Sequence, residues 1–312
     1  PYSQGAVGDN LAGMNNVRQV PFLAGGGDCL APELENYPHT SFNKSWRLAA
    51  AEMTVSQLMG MREITLSVLR FGGGLDLDPV TGKVTRFLAR LKPRLQAISD
   101  LALTPGRQRG LGLFWHENVA AVARTREVGD PFTVLQRRRP WDHTLGLMGF
   151  ATTYGPSDVA ILSGEAIACL DGVGRRALLS RGVLLDARAA ATLIALGDGE
   201  LIGLGAVLDP VDACQEVIED PAFGGQAGEV LNTRAEGGRA AQFALLPGAR
   251  AVSQMLGYGA VRTGHGLTVF TNALGGRAAV WPFDAQILGG LKHVDGSAGM
   301  ARPVFQASFG RQ

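Results

Sequence analysis

Residues 62–71, REITLSVLRF, limit the possible folds of this chain more than any other segment. Ile64, Leu66 and Val68 alternate with Thr65, Ser67 and Leu69, so both faces of the strand they predict are apolar or small. A strand that can be covered on both faces belongs in a parallel sheet with helices packed on it. Helical patterns flank it on both sides. Residues 44–60, KSWRLAAAEMTVSQLMG, put Leu48, Ala51, Val55 and Leu58 at helical spacing, and Gly60 sits where a helix would stop. After the loop FGGGLDLDPVTGK a second long helix is expected at roughly 83–103. Upstream, CLAPELENYP reads as a strand end running into a loop. The order strand, helix, strand, helix, with loops rich in Gly or Pro, is the rhythm of a βα-barrel. Residues 1–107 hold only about two of its units and cannot close eight strands alone.

Two further regions complete the chain. Between 108 and 222, the short apolar runs GLGLFW, LGLMGF, VAILSG, RGVLLD and LIGLG alternate with helix-like segments. One of these, DARAAATLIALGDG, has Asp186 placed to cap its start and Gly197 to stop it. Strands alternating with helices predict a Rossmann-like or flavodoxin-like layered domain. From 223 to 312 the chain is rich in turns and β-formers. LTVFTNALGGRAAVWPF reads as a hairpin turned at Gly275-Gly276, and a small β-sandwich is expected there. The fold class is therefore α/β multidomain: the last part of a (β/α)8 barrel, then a layered α/β domain, then a sandwich.

The size fits two or three domains: 312 residues exceed one ordinary core. The formal charge of +1 gives no pull towards nucleic acid or an anionic membrane, and Arg137, Arg138 and Arg139 read as a solvated loop. No apolar run reaches the ~20 residues needed to span a bilayer, and no basic-then-apolar signal segment opens the chain. A cytoplasmic location is the expectation. Cys29, Cys169 and Cys214 are widely spaced without a Cys-x-x-Cys, so reduced thiols are expected in place of a disulfide framework or zinc ribbon. The five histidines, at 39, 116, 143, 265 and 293, lack metal-ligand spacing, so neither metal nor cofactor is expected. The chain opens at Pro1 in a polar stretch, which reads as a fragment or processed product.

Chemistry concentrates in Pro32-Glu33-Leu34-Glu35-Asn36-Tyr37-Pro38-His39. Two carboxylates lie two residues apart at a strand end, where barrel catalysis takes place. Tyr37, His39 and Phe42 could line a sugar site, and so could Arg70 and Phe71 at the end of the next strand. Each also has a plainer reading: an exposed Glu before a turn is usually solvated, and Arg70 could serve a structural salt bridge. Trp46, inside the helical pattern, reads as core. Trp115, His116 and Glu117 read as an interface, while Tyr154 and His143 sit in loops without a nameable partner.

Glu35-Asn36-Tyr37-Pro38 resembles the nucleophile segment of glycoside hydrolase family 42, the clan-A, β-galactosidase-type retaining enzymes. The order of the next elements is also similar: Ser45 and Arg47 open a helix that ends at Gly60, and a strand ends in Arg70. Leu162-Ser163-Gly164-Glu165-Ala166 and the run Gly182, Val183, Leu184, Leu185, Asp186 look like the degenerate amidotransferase-like domain that such enzymes use to trimerise. The resemblance implies a retaining β-glycosidase of oligosaccharides with Glu35 as nucleophile, working as a homotrimer on a carbohydrate. A second carboxyl group, about 5–5.5 Å away, would protonate the leaving oxygen. In the family that acid sits in an Asn-Glu pair, and no such pair occurs here; both adjacent pairs, at 35–36 and 117–118, run Glu-Asn. The acid is therefore expected from a missing N-terminal barrel part or a partner chain. Glu33, about 6.5–7 Å along the same wall, is expected to bind sugar, support the site or serve structure.

Two rival readings exist. One is a non-catalytic oligomerisation or interaction module derived from a glycosidase. The other, an amidotransferase-type hydrolase, lacks a Cys at the turn Ser163-Gly164-Glu165, so that domain reads as catalytically silent. Gly25-Gly26-Gly27 and Gly72-Gly73-Gly74 lack the Lys-Ser or Lys-Thr of a phosphate loop, and no Gly-x-Ser-x-Gly elbow is present.

Overall fold

The computed structural model describes residues 17–22, 31–35, 44–67, 79–122, 140–232 and 239–285, with the side chain of Glu35 outside that description. Two compact units emerge: Pro1–Gly110 with Ala151–Pro156, and Leu111–Phe150 with Ser157–Gln312.

In the first unit, strand β1 (Glu33–Glu35), helix α1 (Trp46–Leu58), strand β2 (Thr65–Ser67) and helix α2 (Pro79–Ser99) come in order. Ser45 caps α1, its hydroxyl accepting from the Leu48 amide at 3.2 Å. At the other end Gly60 adopts φ +90°. Its amide bonds Gln57 O and that of Met61 bonds Ser56 O, a Schellman closure that explains why the helix stops where a glycine stands. Helix α2 begins at Pro79, before the expected 83, because a proline's fixed φ and missing N–H suit the first helical turn. β1 and β2 pair in parallel, Glu33 with Thr65, Leu34 with Leu66 and Glu35 with Ser67. Leu34, Met53 and Leu91 form the buried core, with Ile64, Leu66, Phe87 and Leu88 against them.

One buried ion pair lies in this helix layer. Lys44 Nζ reaches Glu52 Oε2 at 2.9 Å, both side chains almost sealed from solvent. Burial raises the Glu52 pKa, and the Lys44 ammonium only partly offsets it. Lys44→Met strands that carboxylate. We expect a loss of roughly 3 kcal/mol, seen as a lower urea midpoint, whereas Glu52→Gln should lose less.

The second unit is built on a sheet whose strands run, from one edge, β11 (Arg250–Ala251), β14 (Thr268–Thr271), β15 (Arg277–Val280), β6 (Gly182–Leu185), β5 (Val159–Leu162) and β3 (Leu111–Leu113). The two-residue strand β4 (Thr152–Thr153) belongs to the segment grouped with the first unit. β3, β5, β6 and β15 pair in parallel, and β14 pairs antiparallel with both β15 and β11. Helices α3 (Val119–Val122), α4 (Pro140–Leu147), α5 (Gly172–Leu179) and α6 (Ala187–Ala195) complete the layer. The core under α5 and α6 holds Leu162, Leu179, Leu185, Leu193, Ile202 and Phe243. Two antiparallel sheets complete the unit: β7 (Leu204–Asp212) with β10 (Arg239–Leu245), and β13 (Arg262–His265), β12 (Ser253–Leu256), β8 (Gln215–Ile218) and β9 (Val230–Asn232).

Several expectations change. LGLMGF is not a strand: it is the end of α4 and a turn, because Trp141 and Leu145, at 2% and 1% exposure, bury one helical face. LIGLG turns through a 3-10 segment before β7 begins at Leu204. The antiparallel strands start near 204, not 223. The hairpin at 268–280 turns where expected, through Asn272–Gly276, but β15 then joins the parallel sheet beside β6. Ala278 and Val280 are buried there, so this strand finds its cover in the α/β layer and not in a separate sandwich. Trp46 is 40% exposed and stacks on Phe87 at 4.8 Å, on the rim of the core.

The hairpin turn is packed without slack. A methyl group at Gly276 would lie 1.9 Å from Leu179 O and 2.8 Å from Arg181 O, both backbone atoms. Gly276→Ala is expected to destabilise the protein by several kcal/mol, with Gly275→Ala, where space is open, as the milder comparison in thermal melts.

Candidate functional site

β1 supplies the first candidate surface. Strand alternation puts positions 33 and 35 on one face and Leu34 on the other. Leu34 is 3% exposed against Met53 and Leu91, so its face is the helix-covered one. Leu66 lies on that same side of β2. The opposite face therefore presents Glu33, position 35, Thr65 and Ser67, four polar positions on two adjacent strands. Glu33 and Thr65 are exposed and Ser67 half-buried. A polar quartet there is chemically useful: carboxylates can attack or bind, and hydroxyls can orient them. Tyr37, His39, Phe42, Arg70 and Phe71 lie outside the described residues.

The second candidate surface lies at the carboxyl ends of β5 and β6, where open α/β sheets bind ligands. Asp186 is the hub. It caps α6, accepting from the Ala189 amide at 2.7 Å, as the sequence predicts. Both its oxygens also accept from the Gly164 amide at 3.1 Å, and one accepts from Ala285 at 3.3 Å. Gly164 adopts φ +61°, which turns its N–H inward. The carboxyl is 2% exposed. Burial pushes its pKa up to about 7; the nearby Asp284 carboxylate adds to this, while the three amides pull it back. Arg188 spans the rim, 3.4 Å from Glu165 and 3.3 Å from Asp284. The sequence revealed the cap but not the hub, because Gly164 and Ala285 lie 22 and 99 positions away. Every oxygen of Asp186 is bonded to backbone, so its evident work is to tie two loops to one helix.

Beyond these surfaces, the 3-10 segment Ala166–Cys169 carries Cys169 past the turn at Gly164. Cys169 and Cys214 are not in a disulfide, and Cys29 lies outside the described residues. Among the described residues no group of three or more His, Cys, Asp or Glu could hold a metal ion, and no helix is long and apolar enough to cross a membrane. His116 Nδ1 accepts from the Asn118 amide at 3.2 Å, a local turn.

No protein-family model matches the sequence, and no curated protein matches it. Six solved chains match it in structure. Among them is the exo-β-1,4-mannosidase Op5Man5 from Opitutaceae bacterium strain TAV5, with a TM-score of 0.51 and 14% identity. The match covers 90% of this chain and 52% of that one, so the chain spans about half the length of its structural neighbour. At this identity the likeness is one of fold: the α/β architecture is shared with a glycoside hydrolase, and the family 42 resemblance rests on residues 33–70.

Proposed function

We propose that the protein is a retaining β-glycosidase acting on terminal β-linked sugars, with Glu35 as nucleophile and a family 42-type, β-galactosidase-like specificity. One observation carries this reading: the helix-averted face of β1 and β2 is polar throughout, whereas its opposite face is leucine. The structural likeness to an exo-β-mannosidase supports the same class of chemistry. Glu35 attacks the anomeric carbon as the glycosidic bond breaks, and the leaving oxygen takes its proton from a carboxylic acid on the other side of the sugar. Water then releases the sugar with its configuration retained. Glu33, Tyr37, His39, Phe42, Arg70 and Phe71 are assigned to sugar binding. The layered domain is assigned to assembly as a homotrimer, with the proton donor supplied by a further barrel part or a partner chain.

This division of labour has a kinetic signature. A dinitrophenolate leaves without protonation, whereas an alkyl alcohol needs the acid. If the chain by itself supplies only the nucleophile, it should cleave dinitrophenyl β-glycosides while leaving alkyl β-glycosides almost untouched. Galactoside and mannoside versions of both, assayed side by side with proton NMR of the released anomer, test class and sugar together. Release of the inverted anomer, or no cleavage of any dinitrophenyl glycoside, overturns the proposal. A non-catalytic assembly module predicts the second outcome.

A further inference from the structure

We infer that Glu216 is a protonation-controlled latch on a crossover between two sheets of the second unit: as a neutral carboxylic acid it holds the chain where β13 passes into β14, and giving up its proton lets that crossover open. Two segments change sheets at this place. β11 and β14 belong to the seven-stranded sheet, β12 and β13 to the four-stranded one, so the chain crosses once at Val252 and again at Gly266-Leu267. The two crossings are tied together: the Val252 amide donates to Leu267 O at 2.8 Å, and the Gly266 amide to Ser253 O at 2.9 Å. Glu216, on β8, reaches the same point. The Ser253 hydroxyl donates to its Oε1 and accepts from the Leu267 amide at 2.7 Å. Through Ser253, one carboxyl holds both crossings.

Glu216 is 1% exposed, and among the described residues its Oε2 has no hydrogen-bond partner. Leu231 on β9 and Met255 on β12 stand opposite it. Charges on the surrounding strands and turns are engaged elsewhere. Arg250 pairs with Asp220, Arg262 pairs with Glu219 at 2.6 Å, and Glu229 accepts from the Gln226 amide at 2.9 Å. His265 joins Gln242 through its backbone. A buried carboxylate with no cation beside it costs far more than a neutral acid with one unshared hydroxyl, so the closed fold keeps the proton. Burial raises the Glu216 pKa, and the Ser253 hydroxyl and Leu267 amide only partly offset it. Gln242 shows what a fixed clamp on the same segment looks like. It accepts from the His265 amide at 2.7 Å and donates to His265 O at 2.9 Å. Glycine makes room for both clamps. A methyl group at Gly264 would lie 2.4 Å from Gln242 Oε1, and one at Gly266 would lie 2.2 Å from Ser253 Oγ and 2.8 Å from Glu216 Oε1. The amide at 242 cannot titrate, whereas the acid at 216 can.

The closed latch keeps a proton that the open one releases. Opening should therefore be rarest below the ordinary carboxylate value of 4.5. It should grow up to about tenfold with each pH unit above that, and level off beyond the latch's own raised value. Amide hydrogen exchange of residues 252–267 reads the opening. Taking the ratio of wild type to Glu216→Gln at each pH cancels the pH dependence of exchange itself. That ratio should climb with pH, and climb equally when both chains also carry Asp186→Asn, which removes the other titrating carboxyl of this unit. Ser253→Ala should speed exchange at every pH, because it cuts the link to the carboxyl. A flat ratio, or a climb that vanishes with Asp186→Asn, overturns the inference. Should Glu216→Gln fail to fold by circular dichroism, infrared spectra of the chain labelled with carbon-13 glutamate decide. A neutral glutamic acid signal at neutral pH that moves in Ser253→Ala supports the latch, and the lack of such a signal overturns it.

Discussion

Glu35→Gln should lower the rate on dinitrophenyl β-glycosides by roughly a thousandfold or more, on the order of 4 kcal/mol in the barrier. Glutamine keeps the size of the side chain and its place on β1, so the strand should still pair with β2 and the fold should survive. What it removes is the carboxylate that forms the glycosyl-enzyme, and an amide is a far poorer nucleophile. The same experiment can look for the intermediate itself. A fluorinated β-glycoside with a good leaving group should leave one sugar on the peptide that contains Glu35, detected by mass. Glu33→Gln is the control: Glu33 shares the strand face but rises from the same wall, so it should raise KM more than it lowers kcat. If the two variants behave alike, or if the adduct sits elsewhere, Glu35 is not the nucleophile.

The second large effect concerns the hub of the other unit. Asp186→Ala removes the cap of α6 and leaves the amides of Gly164 and Ala285 without their acceptor in a buried place. A cap accounts for about 1–2 kcal/mol and each of the two stranded amides for about 1–3 kcal/mol, so a loss of roughly 3–8 kcal/mol is expected. Asp186→Asn separates shape from charge. The wild-type carboxyl has its folded pKa pushed from 3.8 up to about 7. Between those values the folded state holds the proton that the unfolded state has released. The stability contributed by this carboxyl is therefore full below about pH 4, falls as the pH rises towards 7, and levels off above it. The fall is at most about 4 kcal/mol. Asparagine cannot ionise, so its urea midpoints should lose this slope and approach or exceed the wild type at pH 8. Parallel slopes in both proteins would mean that Asp186 is not the titrating group.

Much of this architecture is legible in the sequence because its signals are local. Gly60 after a helical pattern and Asp186 ahead of an alanine run act on amides within a few residues, so the stop and the cap appear where expected, and α1 opens after Ser45. Residues 44–60 yield α1, and VAILSG and RGVLLD yield β5 and β6. LGLMGF misled because a short apolar run fits a strand or a buried helix equally well, and only the burial of Trp141 and Leu145 selects the helix. The third region misled for a different reason. A hairpin's turn is written in its own residues, but the sheet it joins depends on which edge is open, and β6 offered one to β15.

By itself the sequence determined where α1 and α6 begin and end, that the strands around 65 and 185 would lie in parallel sheets, and that positions 33 and 35 share one side of a strand. Those facts depend on near neighbours and on the period of the chain. Only the tertiary structure decided which side of β1 the helices cover, that Ser67 stands level with Glu35, and that Asp186 gathers Gly164 and Ala285 around one buried carboxyl. Each of these joins residues far apart in sequence. Contacts of that kind are fixed by packing and by the need to satisfy buried polar groups, which no local pattern encodes.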